Sequence, residues 1–168
     1  MNLSIIKTYE NICEYIEAVN NDKSNYLNLW EKYMIEPFWD KISEWAPFNV
    51  NYMKPKPIQN MDILKIQFEQ LSKISIEDIQ KEFQSICTML PINDETSMVI
   101  ALYPLCDNNT TIKERQNGVV GCCVFGNIVI NINPLADDFF QWIPFVFAHE
   151  YNHSAWGHEN MLFRVVKM

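Results

Sequence analysis

The sequence predicts an α+β fold: a helical amino-terminal half, a small and mostly antiparallel sheet, and a closing helix that carries an H-E-x-x-H motif. Three observations predict it. The four glycines (Gly118, Gly121, Gly126 and Gly157) all fall in the last third of the 168 residues, so tight turns concentrate there. Apolar residues before Pro91 recur at helical steps of three and four, whereas Ser97 to Ile132 holds short apolar runs broken by turn residues. The run Phe145-Val146-Phe147-Ala148 then suits a buried helix. A chain of this length is the size of one ordinary domain. Residues 1–168 therefore read as one unit, helical over 1–92, with the sheet and motif helix over 97–168.

Taken in order, Ile5, Tyr9, Ile12 and Ile16 step by four, three and four, which predicts a first helix broken at Asn20-Asn21-Asp22. Ser24 can cap a second helix carrying Leu27, Trp30 and Met34, and Pro37 ends or restarts it. Residues 46–59, with Pro47, Pro55 and Pro57, read as an extended connector. A third helix spans Met61 to Leu71. Ser75 with Asp78 resembles a capping box that opens a fourth helix, with Ile79, Phe83, Ile86 and Leu90 inward and Pro91 as its stop.

Ser97 to Tyr103 is a β-type run, and Cys106 to Asn117 is a polar loop. Val119 to Phe125 and Ile128 to Ile132 flank Gly126-Asn127, a dipeptide suited to a tight hairpin turn. Asn133-Pro134 closes the sheet, and Asp137 and Asp138 suit a helix start. Pro144 must kink this helix or sit in the first turn of the motif helix, and Gly157 is a natural stop.

Composition narrows the function. Apolar residues at 48% and charged residues at 20% are the mix of a folded domain rather than of a disordered chain. No stretch reaches the roughly 18 uninterrupted apolar residues a spanning helix needs, so no membrane role is expected. The amino terminus lacks both a basic start and a long apolar run, which predicts a cytoplasmic protein or a mature domain whose signal was removed. A net charge of −8 argues against nucleic acid, whose phosphates need clustered Lys and Arg. The five cysteines (Cys13, Cys87, Cys106, Cys122, Cys123) form no C-x-x-C pair and read as small apolar residues in a reducing compartment. Adjacent Cys122 and Cys123 would point to opposite faces of a strand.

All three histidines lie in the run His149-Glu150-Tyr151-Asn152-His153, continuing to His158-Glu159. On a helix, His149 and His153 leave the same face and can grip one metal ion, with Glu150 placed to take a proton from a metal-bound water. The competing readings are a structural histidine pair and, for Glu150, a solvated helix carboxylate. Tyr151 points away from the metal face and reads as a packing residue; Asn152 could tie the helix to the sheet.

A catalytic zinc site needs three protein ligands and one open position, and the motif supplies two. The metzincin spacing would place a glycine three residues after His153 and a histidine six after; here Gly157 comes four after and the sixth residue is Glu159. Glu159 and His158 are the candidate third ligands. The competing reading of His158 is an exposed histidine at a helix end.

From about Ser97 onward the chain resembles a bacterial family of predicted zinc-dependent, YjaZ-like H-E-x-x-H proteases. The resemblance is carried by Leu102-Tyr103-Pro104, Asn117-Gly118-Val119-Val120-Gly121, Ile128-Val-Ile-Asn-Ile-Asn133-Pro134 and Ala148-His-Glu-Tyr-Asn-His153. It covers less than half the chain and implies a zincin-like helix with His149 and His153 as ligands of Zn2+ and Glu150 as general base. It also implies a gluzincin-like third ligand, a glutamate on a later helix, but residues 161–168 contain no acidic side chain. The chain is then expected to lack the family's C-terminal helices, to bind zinc weakly and to show little peptidase activity alone. Apolar residues Trp156, Leu162 and Phe163 would favour self-association.

The expected function is that of a zinc-dependent metallopeptidase acting on a peptide or protein, the edge of the hairpin pairing with an extended substrate. One rival is a catalytically incomplete or non-enzymatic fragment acting in binding or regulation. A second is a metzincin-like enzyme completed by Glu159.

Overall fold

A computed structural model describes residues 2–44, 53–89, 97–104, 121–124, 126–132 and 141–153. Their order is β1 (Asn2–Lys7), α1 (Ile12–Asn21), α2 (Tyr26–Trp30), α3 (Glu36–Ser43), α4 (Met61–Leu71), α5 (Ile76–Met89), β2 (Ser97–Pro104), β3 (Gly121–Val124) and β4 (Asn127–Ile132). A further helix, α6, covers residues 141–153. The fold is α+β, as the sequence predicts.

The sheet corrects the prediction in two ways. Among the described residues its strand order is β1-β2-β4-β3; the β1–β2 and β2–β4 pairs are parallel and β3–β4 is antiparallel. The sheet is mixed, not mostly antiparallel. In addition, the first element is a strand: Ile5 lies on β1, and only Ile12 and Ile16 of its apparent helical series belong to α1. A parallel neighbour needs a crossover of a dozen or more residues, and the helices between β1 and β2 provide it. Because those helices and α6 pack on the sheet, residues 100–103 of β2 and 127–130 of β4 are buried on both faces. Such strands read as continuous apolar runs rather than alternating ones.

The helical half follows its punctuation closely. Asn60 caps α4, its Oδ1 accepting from the backbone N–H groups of Asp62 and Ile63 at 3.1 Å each. Ser75 caps α5 through the N–H of Asp78 at 3.2 Å, and Ile79, Phe83 and Ile86 are buried as expected. Leu90 and Pro91 lie outside the described residues. Pro37 restarts the second helix rather than ending it: one π-helical turn, Glu31–Ile35, joins α2 to α3 with the proline in the first turn of α3. Pro37 has no N–H for the Tyr33 carbonyl four residues earlier. Asn11 donates its side-chain amide to that carbonyl instead, at 3.0 Å. The connector is tied down where it is described, since Trp30 Nε1 donates to the Pro55 carbonyl and the Tyr15 hydroxyl to that of Ile58.

The hairpin turn falls one residue before the expected dipeptide. Val124 pairs with Asn127, which leaves a two-residue connection ending at Gly126, whose φ of 88° suits glycine. Asn127 belongs to β4 and is buried. Its Oδ1 accepts from the Val99 N–H at 3.0 Å, and its Nδ2 donates to the Ile42 carbonyl at 2.8 Å in the last turn of α3. One side chain thus joins β4, β2 and α3. Asn127→Ala leaves one buried carbonyl and one part-buried N–H unsatisfied, the buried one at about 1–3 kcal/mol and the other at less. We expect a loss of about 2–4 kcal/mol in urea unfolding; a loss below about 1 kcal/mol would show that water replaces the amide.

Candidate functional site

The motif sits on α6, whose described residues include Pro144; whether that proline kinks the helix or opens it depends on residues outside the described ones. At 100° per residue, α6 divides into arcs that match its burial. Ile143, Phe147, Glu150 and Tyr151 are buried; Gln141, Trp142, Phe145, His149, Asn152 and His153 are exposed. The run Phe145 to Ala148 is therefore not uniformly buried, because Phe145 is 67% exposed. Phe83 of α5 anchors the inner arc, its ring edge-on to Phe147 at 6.1 Å and to Tyr151 at 5.4 Å between centroids. Tyr151 is the packing residue its position predicts, whereas Asn152 points to solvent.

The sheet meets α6 at Gly121, on β3. A Cβ there would lie 2.9 Å from Val146 Cγ1, 3.0 Å from Glu150 Cγ and 3.1 Å from Glu150 Oε1. Any larger residue there would force Val146 or Glu150 to shift. Glu150 is thereby enclosed between strand and helix, only 6% exposed. Burial pushes its carboxyl pKa above the ordinary value, and the adjacent His149 and His153 pull it back in part. Cys122, next along β3, has its thiol pushed up to about 12, first by burial and then by the negative charge of Glu150. Burial thus favours its neutral thiol form.

His149 and His153 converge on the solvent side. Their Nε2 atoms are 3.1 Å apart, and their rings are nearly perpendicular, with centroids at 4.6 Å and an interplanar angle of 82°. Two nitrogens bound tetrahedrally to zinc at about 2.0–2.1 Å stand about 3.3–3.4 Å from each other. The pair is within a few tenths of an ångström of that spacing. A neutral pair sharing one hydrogen bond has the same geometry, so the chemistry of the donor set, not distance alone, bears on the metal.

The structure thus brings together His149, Glu150 and His153. Among the described residues, no group of three His, Cys, Asp or Glu is assembled. Glu159 and His158, the candidate third ligands, lie outside the described residues, as do Gly157, Asp137, Asp138 and the apolar residues Trp156, Leu162 and Phe163. No helix among the described residues is long and apolar enough to cross a membrane. A cavity of about 310 Å³ lies behind α6, lined by Ile74, Ile79, Ile143, Pro144 and Phe147, on the side away from the histidines.

Two features of the site are absent from the sequence reading. The contact of Gly121 with Glu150 had a signal, an isolated glycine inside a strand pattern, which marks close backbone approach. The exposure of Phe145 was hidden in the run Phe145 to Ala148, which reads as core, and that of Trp142 had no signal. Compared with protein-family models, curated proteins and solved structures, the chain matches none.

Proposed function

We propose that His149 and His153 hold a zinc ion and that Glu150 is the general base of a zincin-like peptidase site. One observation carries this reading: two imidazole nitrogens 3.1 Å apart on the open arc of a helix, with the intervening glutamate buried beside them. The donor set suits zinc, which takes neutral imidazole nitrogens readily. A bound zinc ion supplies a Lewis acid and brings the pKa of its water to about 7.

The chain's own residues do the rest. Glu150 accepts a proton on its carboxylate and hands it to the departing amine. Its raised pKa moves it towards the range where it both takes and releases that proton. The packing of Glu150 against Gly121 limits its motion and holds it at the strand end of the site. Among the described residues β3 is the outer strand of the sheet, the position from which a strand can align an extended peptide by backbone hydrogen bonds. Glu159 or His158 would complete the ligand set, and replacing each by alanine separates the two.

The test is hydrolysis of an unfolded polypeptide by the purified chain. We expect slow cleavage that chelator abolishes, zinc restores, and His149→Ala or His153→Ala removes. Zinc binding through these histidines without cleavage would favour the rival, a non-catalytic binding module. Cleavage indifferent to chelator and to both substitutions would contradict the proposal.

A further inference from the structure

The exposed arc of α6 is not an ordinary solvated helix face. Trp142 is 54% and Phe145 67% exposed, with ring centroids 5.5 Å apart and planes tilted by 49°. A solvated face usually carries charged or small polar side chains, and large exposed aromatics in contact with each other mark a recognition surface. These two are not isolated from the chemistry. Trp142, Phe145, His149 and His153 follow one another at steps of three, four and four residues, so they form a single stripe within about 80° of the helix surface. At about 1.5 Å of rise per residue, Phe145 and Trp142 lie about 6 Å and about 10 Å along the axis from His149.

We propose that Trp142 and Phe145 form a subsite that seats a large apolar side chain of an extended peptide bound across the His149–His153 pair. The inference rests on the peptidase reading above and names its substrate class: unfolded or extended segments with an aromatic or large aliphatic residue near the cleaved bond. An extended chain advances about 3.3 Å per residue, so that residue lies two or three positions from the bond. The aromatic stripe selects the side chain of that peptide. Aromatic rings suit this role because they offer large contact area with few rotatable bonds to immobilise.

The experiment uses the zinc-supplemented chain carrying Glu150→Gln, which binds without cutting. Two fluorescein-labelled alanine–serine peptides are compared by anisotropy, identical except that one carries a single phenylalanine. We expect the phenylalanine peptide to bind at least tenfold more tightly. Adding Trp142→Ala and Phe145→Ala should reduce that ratio to twofold or less, with zinc content unchanged and the circular dichroism of the folded chain retained. Both side chains are mostly in solvent, so their removal spares the core. An equal ratio before and after the double substitution, or no preference at the outset, would overturn the subsite. Selective peptide binding by a chain that holds no zinc would keep the subsite and overturn the metal site, which separates the two failures.

Discussion

Glu150→Gln is expected to lower zinc-dependent peptide hydrolysis by about 10²–10⁴-fold while leaving zinc content unchanged, because the amide keeps the shape of the side chain but cannot accept a proton. The same substitution should stabilise the metal-free protein. Burial holds the Glu150 pKa above its ordinary value, so the folded state binds this proton more tightly than the unfolded chain does. The stabilisation from protonation is complete below the ordinary carboxylate range and is lost as pH rises through the raised value. At pH 7 the folded protein therefore carries an unfavourable buried charge that glutamine lacks. The variant should melt at a higher Tm than the parent at pH 7, with the gap narrowing towards pH 4. A variant that is inactive but less stable at pH 7 would assign Glu150 a structural role. Unchanged turnover would remove it from the mechanism. Opposite effects on activity and stability are what a functional carboxylate under enclosure produces.

Gly121→Ala should be the most disruptive single methyl group in the described part of the molecule. The added carbon would stand 2.9 Å from Val146 Cγ1, 3.0 Å from Glu150 Cγ and 3.1 Å from Glu150 Oε1, so Val146 or Glu150 must give way. Overpacking of this kind costs about 1–3 kcal/mol, and here it is relieved by moving α6 away from β3. That movement displaces Glu150 along with the helix. Activity should therefore fall well beyond the fraction of molecules unfolded, as read from urea unfolding beside a hydrolysis assay. Val146→Ala in the same chain removes the nearer obstacle and should recover part of the stability but little of the activity, because the contact with Glu150 persists. Full recovery of both would mean that Gly121 matters only for packing against Val146.

Much of the helical half was legible because its signals are local. Ser75 with Asp78, the span Met61–Leu71 and the break at Asp22 depend on caps and on a period of three to four residues, and each appears where it was read. The sheet was less legible because its determinants are distant. Leu3, Ile5 and Ile6 are too few to separate a strand from the helix that follows, and β1 becomes a strand by pairing with residues 97–102. The parallel pairing did leave a trace: the β2 and β4 runs are continuously apolar, which marks strands covered on both faces. At the site, the spacing of His149 and His153 announced their convergence. The enclosure of Glu150 by Gly121 depends on a contact across about thirty residues of sequence, which no local pattern encodes. The exposure of Phe145 was concealed for a related reason, since the apolar run Phe145 to Ala148 does not say which of its members faces the core.

The most direct measurement of the central claim is zinc binding by the purified chain, read by metal content and by the zinc X-ray absorption edge, in the parent and in the His149→Ala/His153→Ala double variant. The account predicts weakly held zinc in the parent chain, approaching one ion per chain only with zinc in excess and coordinated by two imidazole nitrogens together with oxygen or a further nitrogen, and none held by the double variant. Equal zinc in both proteins, or a coordination shell without imidazole, would contradict it.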